Sequence, residues 1–299
     1  MSITVLGTGL MGRPMAQRLV EAGFEVAVWN RTKSKSAPLA DVGARVADDP
    51  AEAVVGADYV ITVLEGGPAV ESVLFDTDTV ESMRQGGLVI DMSSIPPSTA
   101  RDHAKRLTDS GIGHLDAPVS GGPYGAEAGT LAIMVGGSHS DFERARSVFE
   151  PMGRATLVGP HGAGQLAKLG SQIVLAGALG SISEALLLAV AGGADAEKVR
   201  EAWSGGFADS KVLQIHGAHM VQRDFVPGGH VRTHLKDLDA ARASAREHAL
   251  DLPLMELMHG ALKALSAQGM ADYDNSAILL ELEGRNPSLK LTQGHDQVP

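Results

Sequence analysis

Three short stretches of the chain gather residues able to do chemistry. Gly7-Thr8-Gly9-Leu10-Met11-Gly12 has G-x-G-x-x-G spacing. Its glycines permit a tight turn and let backbone N–H groups approach a pyrophosphate where a helix begins. Such a loop is either a dinucleotide cradle or a plain strand-to-helix turn; the order strand, loop, helix, second strand around it favours the cradle. Ser120-Gly121-Gly122 offers a hydroxyl and unhindered backbone N–H groups that suit a carboxylate, or else forms only a glycine turn. Lys168 stands early in a long apolar helical pattern. Desolvation there lowers an ammonium pKa toward neutrality and fits it to exchange a proton with an alkoxide. The other reading of Lys168 is a side chain that carries its charge out to solvent.

The residues after the second strand bear on cofactor choice. An NAD-preferring site places Asp or Glu there to bond the ribose 2′-hydroxyl. This chain has Trp29-Asn30-Arg31-Thr32, with Lys33 and Lys35 beyond. A guanidinium without an acid suits the 2′-phosphate of NADP. NADP(H) is therefore the preferred cofactor, with NAD(H) second, and Asn30, Arg31 and Thr32 are the expected contacts. His216, His219, His230 and His234 have spacings that could suggest a metal. No acid or cysteine completes a recognised set, so they read as surface or structural histidines and no metal is expected.

These residues must be positioned by 299 residues, enough for one large or two ordinary domains. Hydrophobic residues make up 44% and aromatics 4%, which suits a real core of closely packed helices and sheet. A net charge of −11 argues against a nucleic-acid face, and the absence of cysteine excludes disulfides and thiolate chemistry. No basic and apolar leader precedes the strand-like run at Ile3, and no uninterrupted apolar run reaches membrane-span length. A cytoplasmic protein without membrane or nucleic-acid partners is the expectation.

Apolar runs of strand length fall at Ile3–Leu6, Glu25–Trp29, Tyr59–Leu64, Leu88–Met92 and Gly113–Asp116, with weaker ones at Ala44–Val46, Leu131–Val135 and Thr156–Val158. They alternate with helical patterns such as Met11–Ala22 and Pro97–Ser110, as a parallel sheet with crossover helices requires. Beyond Gly162 only helical patterns follow: Ala163–Ala191, Ala196–Ser204, Val212–Gln222, Thr233–Ala249, Pro253–Gln268 and Ser276–Glu283. Gly170, Gly177 and Gly180 interrupt the first of these. Each costs a helix about 1 kcal/mol against Ala, so burial and close packing must compensate. The expected fold is a Rossmann-like α/β N-terminal domain over residues 1–161 and an all-α C-terminal domain over 162–285, joined by a long interdomain helix. A loose polar tail is expected over 286–299.

At this point the chain resembles the 3-hydroxyacid (3-hydroxyisobutyrate) dehydrogenase family, from Ile3 to about Glu283. The resemblance rests on Gly7 to Ala16; on Asp116-Ala117-Pro118-Val119-Ser120-Gly121-Gly122 running through Gly125-Ala126 and Ala128-Gly129-Thr130-Leu131 to Met134-Val135-Gly136-Gly137; on Gly162-Ala163-Gly164-Gln165-Leu166-Ala167-Lys168; and on Lys236-Asp237-Leu238. The resemblance implies that a small semialdehyde acid and its hydroxyacid are interconverted, with Lys168 as general acid in reduction and base in oxidation. It implies that Ser120, Gly121 and Gly122 hold the substrate carboxylate, and that Leu64 and Ser94 touch the cofactor. Lys236 would close over cofactor or substrate. The family carries Asn one turn after the lysine; here Ser171-Gln172 stands instead, and Gln172 at i+4 offers the same amide on a longer stem. Imine reduction and non-catalytic NADP binding are rival readings, and retention of Lys168 counts against both. The apolar long helix and small helical domain imply a homodimer or homotetramer.

Overall fold

A parallel strand covered on both faces must be apolar at successive positions, and the central strands here are buried throughout. The computed structural model describes residues 1–299 as two compact units, Met1–Lys168 and Leu169–Pro299. The first unit runs β1 (Ser2–Leu6), α1 (Gly12–Glu21), β2 (Glu25–Trp29), β3 (Arg45–Val46), α2 (Pro50–Val54), β4 (Tyr59–Thr62), α3 (Gly67–Phe75), α4 (Thr79–Ser82), β5 (Leu88–Asp91), α5 (Pro97–Asp109), β6 (Gly113–Asp116), β7 (Val119–Ser120), α6 (Gly122–Ala128), β8 (Leu131–Gly137), α7 (His139–Phe149) and β9 (Gly153–Gly159). The order β3-β2-β1-β4-β5-β6 is all parallel; β8 then joins β6 antiparallel and carries β7 and β9. This is the doubly wound dinucleotide-binding arrangement with a mixed extension.

Side-chain alternation divides the core of this unit. Val5, Ile61, Ile90 and Leu115 pack with Met15 and Leu19 of α1 and with Val148 of α7. Val60 and Val89, one residue out of phase, pack with Val54, Leu74, Ala100 and Leu107 on the opposite face. β4 ends at Thr62, short of the expected Leu64, because the Leu64 N–H turns aside to the Ser93 hydroxyl, 3.0 Å away. β9 is longer than its apolar run suggests, since parallel pairing along β8 extends it to seven residues. The two-residue β7 has no signal of its own and forms through β8.

One core residue sets a pH limit. His114 on β6 is fully enclosed, and burial, aided by the nearby His161 and His103, lowers its pKa to about 3. The folded chain keeps this ring neutral while the unfolded chain protonates near 6.5. Stability held above that pH is therefore lost as pH falls toward 3, at on the order of 1.4 kcal/mol per pH unit. Thermal midpoints measured between pH 7 and 4.5 should fall less steeply for His114→Leu; parallel slopes would remove His114 as the cause.

The long helix α8 (Ala163–Ala191) begins in the first unit and continues into the second, followed by α9 (Ala196–Trp203), a π-helical turn at Leu213–Gly217, α10 (Ala218–Gln222), α11 (Val231–Glu247), α12 (Pro253–Leu265) and α13 (Ile278–Arg285). By length and composition alone α8 could cross a membrane, which is weak evidence for a single helix. Its Leu179 and Leu186 are fully buried in the core of the helical unit beside Leu213, Leu238 and Leu262. Two of its interior glycines have a packing reason: a Cβ at Gly177 would lie 3.2 Å from Leu254, and at Gly180 2.7 Å from the Met258 sulfur. Gly170 has no such neighbour.

Residues 286–299 have more partners than their polarity suggests. Leu291 is buried, and the Phe225 N–H donates to the Gln297 carbonyl at 2.8 Å. Arg223, wholly buried at the end of α10 with φ 55°, donates to both Glu283 oxygens at 2.7 and 2.9 Å and to Asp296. A buried guanidinium needs carboxylates, and the tail brings one of the two.

Candidate active site

The parallel register places Trp29, Leu6, Thr62, Asp91 and Asp116 side by side at the carboxyl ends of β2, β1, β4, β5 and β6. The loops that follow therefore leave one edge of the sheet, and they carry the glycine loop, Asn30, Leu64, Ser94 and Ser120. In sheets of this kind the ligand crevice lies outside that edge, where the chain leaves the paired strands β1 and β4 toward opposite faces of the sheet.

The glycine loop separates structural from ligand-facing roles. A Cβ at Gly7, whose φ is +104°, would stand 2.3 Å from the Val63 carbonyl oxygen; a Cβ at Gly12 would stand 1.9 Å from that of Gly7. Both glycines are required by the fold. A Cβ at Gly9 would meet nothing within 4 Å, so no protein contact explains its glycine. The Thr8 hydroxyl beside it is buried with no hydrogen-bond partner, and Leu10 is exposed although apolar. Open space over the loop and an unmet hydroxyl fit a dinucleotide pyrophosphate.

Asn30 does part of its work within the chain: its carbonyl oxygen accepts the Thr8 N–H at 3.0 Å, and its amide donates to the Thr32 carbonyl. It thereby fixes the glycine loop against the end of β2. Lys33 is matched to Asp48, whereas Arg31 is exposed and belongs to no ion pair. On the next loops the Ser93 hydroxyl accepts the Leu64 N–H, and the Ser93 N–H reaches Asp91 at 2.9 Å. Burial raises the Asp91 carboxyl against hydrogen bonds from Thr62 and Ser93. Ser94 follows, half-buried, at the mouth of this network.

Ser120 is held in β7 opposite Ala132 of β8. Gly121 and Gly122 are exposed with φ of +139° and +63°, a conformation that only glycine adopts freely. A Cβ at Gly122 would meet nothing within 4 Å, whereas one at Gly121 would stand 3.1 Å from the Leu131 side chain.

The start of α8 is fastened to β6 by a buried carboxylate. Asp116 accepts the Gly162 N–H at 2.7 Å and the Gln165 N–H at 3.0 Å, meeting two donors a helix start leaves open. Burial holds the Asp116 carboxyl above its usual range despite those bonds. Gly164 lets the helix lie close, since a Cβ there would stand 2.4 Å from the Met134 carbonyl and 2.5 Å from that of Asp116. Gln165 adds a second fastening: its amide donates to the Ser93 carbonyl at 2.8 Å, and its oxygen accepts the Ile95 N–H at 3.2 Å. Lys168, half-buried, lies three residues further, on the same side of the helix as Gln165. Asp116 and Gln165 were not assigned roles from sequence. An acid inside an apolar strand was the available signal, because such a group must find buried donors.

In the helical unit, Gln172 donates its amide to Asp237 at 2.8 Å, and its main-chain carbonyl accepts from His234 at 3.0 Å. Asp237 is buried, and Lys236, half-exposed, stands 3.7 Å from its other oxygen. The Gln172 amide is thus engaged by Asp237, a residue that sequence reading set beside Lys236 only as part of a motif.

Comparison with known proteins agrees with this architecture. Residues 2–160 match the family described as the NAD binding domain of 6-phosphogluconate dehydrogenase, and residues 162–282 the NAD-binding domain of NADP-dependent 3-hydroxyisobutyrate dehydrogenase. The chain is 38% identical to 2-hydroxy-3-oxopropionate reductase of Escherichia coli, covering 95% of this chain and 97% of that one. It is also 38% identical to a probable 3-hydroxyisobutyrate dehydrogenase-like protein of Arabidopsis thaliana, covering 94% and 85%. The solved 3-hydroxyisobutyrate dehydrogenase of Mycobacterium tuberculosis with L-serine superposes with a TM-score of 0.87 at 34% identity, covering 94% and 98%. A glycine loop shaped for a dinucleotide and two family matches that together span the sheet and the helices lead to one assignment: the chain is an oxidoreductase of the 3-hydroxyisobutyrate dehydrogenase family.

Proposed function

We propose that this enzyme uses NADPH to interconvert a small semialdehyde carboxylic acid and its hydroxyacid, nearest in kind to tartronate semialdehyde reductase. The observation that carries the reading is the clamp on Asp116. One carboxylate ties the first turn of the lysine's helix to the strand that runs on into Ser120-Gly121-Gly122. The segments 234–251 and 274–282 resemble the tartronate semialdehyde branch and carry this choice, since the identity to the Escherichia coli reductase and to the Arabidopsis 3-hydroxyisobutyrate dehydrogenase-like protein is 38% in both cases.

In this reading Ser120 and the N–H groups of Gly121 and Gly122 bind the substrate carboxylate. Bound NADPH supplies the hydride. Lys168 gives its Nζ proton to the carbonyl oxygen as that oxygen becomes an alkoxide, and takes a proton from the hydroxyl in the oxidative direction. Gln172, held by Asp237, orients the lysine, Lys236 contacts substrate or cofactor, and Leu64 and Ser94 contact the cofactor. Arg31 binds the 2′-phosphate, with Asn30 and Thr32 beside it. Exposed Val174 and Leu188 on α8 support a homodimer or homotetramer.

A panel of three- and four-carbon semialdehydes and hydroxyacids, assayed with NADPH and NADH, tests the assignment. The highest kcat/KM is expected for tartronate semialdehyde with NADPH; turnover confined to cyclic imines would overturn it. Arg31→Asp should raise KM for NADPH by roughly tenfold or more while leaving NADH little changed, as loss of a charge-assisted phosphate contact requires. Equal effects on both cofactors would remove Arg31 from the 2′-phosphate site.

A further inference from the structure

Sequence spacing offers His216 and His219 without an acid to complete a metal set. The fold supplies the acid from a distant segment. Asp274, fully buried in the turn before α13, places Oδ1 3.2 Å from His216 Nδ1 and 3.7 Å from His219 Nδ1. All three ligand atoms lie within 4.8 Å of one another. We propose that His216, His219 and Asp274 bind one divalent cation of the zinc type.

Four observations carry this. Ligands around a tetrahedral zinc ion at ~2.0–2.1 Å stand ~3.3–3.4 Å apart, and the two nitrogen–oxygen separations bracket that spacing. His219 Nδ1 is buried and has no hydrogen-bond partner, an orphaned lone pair or proton that an ion would satisfy. The carboxylate cannot swing away: Oδ1 also accepts the N–H and hydroxyl of Ser276, and Oδ2 accepts the N–H groups of Gly228 and Gly229. The histidines lie at the π-helical turn Leu213–Gly217 and in α10 just after it; a π turn widens the spacing of side chains along a helix and recurs at functional positions.

Two imidazoles and one carboxylate favour Zn²⁺, Co²⁺, Ni²⁺ or Cu²⁺ over the oxygen-seeking Mg²⁺ and Ca²⁺. On binding, each Nδ1 becomes a donor of its lone pair and the ring proton resides on Nε2. The hydrogen bond from His216 to Asp274 is replaced by bonds of both groups to the ion. Both imidazoles are partly solvent-accessible, at 18% and 28%, which gives the ion a route in and water a fourth coordination position. The ion would fasten the 213–222 segment to the turn at Asp274, and so act on stability rather than on the hydride step.

The test uses tag-free protein freed of metal by chelator dialysis and titrated calorimetrically with ZnCl₂. One equivalent should bind, and Zn²⁺ should raise the thermal midpoint. His219→Gln should bind at least about tenfold more weakly and show no rise. His139→Ala, which alters an exposed histidine, should match wild type. Absence of a stoichiometric site, or unchanged binding by both His216→Gln and His219→Gln, overturns the proposal. If either variant fails to fold, electron paramagnetic resonance of wild type with one equivalent of Cu²⁺ decides: two coordinating nitrogens support the site, and one or none defeats it.

Discussion

Lys168→Ala is expected to lower kcat for semialdehyde reduction by about 10²–10⁴-fold, the usual worth of a positioned proton donor, while NADPH binding measured by fluorescence stays within about twofold. The split between the two readouts follows from position. Lys168 is carried by the second turn of α8, and the glycine loop and Asn30 that shape the cofactor cradle are held by other bonds. Lys168→Arg keeps a charge but cannot release a proton near neutral pH, so it should recover little turnover. A variant that kept full kcat would strip Lys168 of its proposed role, and one that lost NADPH binding in parallel would make it a cofactor ligand instead.

The second large effect is on stability. Arg223→Met should cost about 3–5 kcal/mol, because it leaves the Glu283 carboxylate buried without its counter-charge. Chemical unfolding should show the loss as a lower midpoint. Asp296 is 35% exposed and can turn to water, so the penalty falls mainly on Glu283, which is 7% exposed. Arg223→Met with Glu283→Gln removes both buried charges, and the amide oxygen can still accept the Leu291 N–H that Glu283 holds at 2.8 Å. The double variant should be more stable than Arg223→Met. Equal losses in the two would mean that the guanidinium acts through packing alone.

The parts of the site that sequence revealed are those whose causes are local. A G-x-G-x-x-G between a strand and a helix has its reason within a dozen residues, and the glycine positions say directly which backbones must come close. Strand runs such as Leu88–Asp91 are legible because burial on both faces demands continuous apolarity. What stayed hidden depends on partners far along the chain. Asp116 meets Gly162 and Gln165 across 46 and 49 positions, and Gln172 meets Asp237 across 65. No window of sequence contains such pairs. The contacts of the polar tail are hidden for the same reason: its partners, Arg223 just after α10 and Glu283 on α13, lie on segments that composition cannot connect to it. His216 and His219 likewise meet Asp274 across 58 and 55 positions.

The two-ended grip of Gln165 has a consequence for the order of events in turnover. Its amide holds Ser93 and Ile95, the neighbours of Ser94, while its backbone belongs to the first turns of α8. The 93–95 loop and the segment leading to Lys168 therefore share one mechanical link, and order imposed on either is felt by the other. A dinucleotide settling against Ser94 would lower the entropy that the lysine must still lose when substrate arrives, and by linkage a bound carboxylic acid would tighten the dinucleotide by the same factor. On the proposed roles of Ser94 and Lys168, cofactor would order the proton donor before any aldehyde is present, and Gln165→Leu should uncouple the two ligands while each alone still binds.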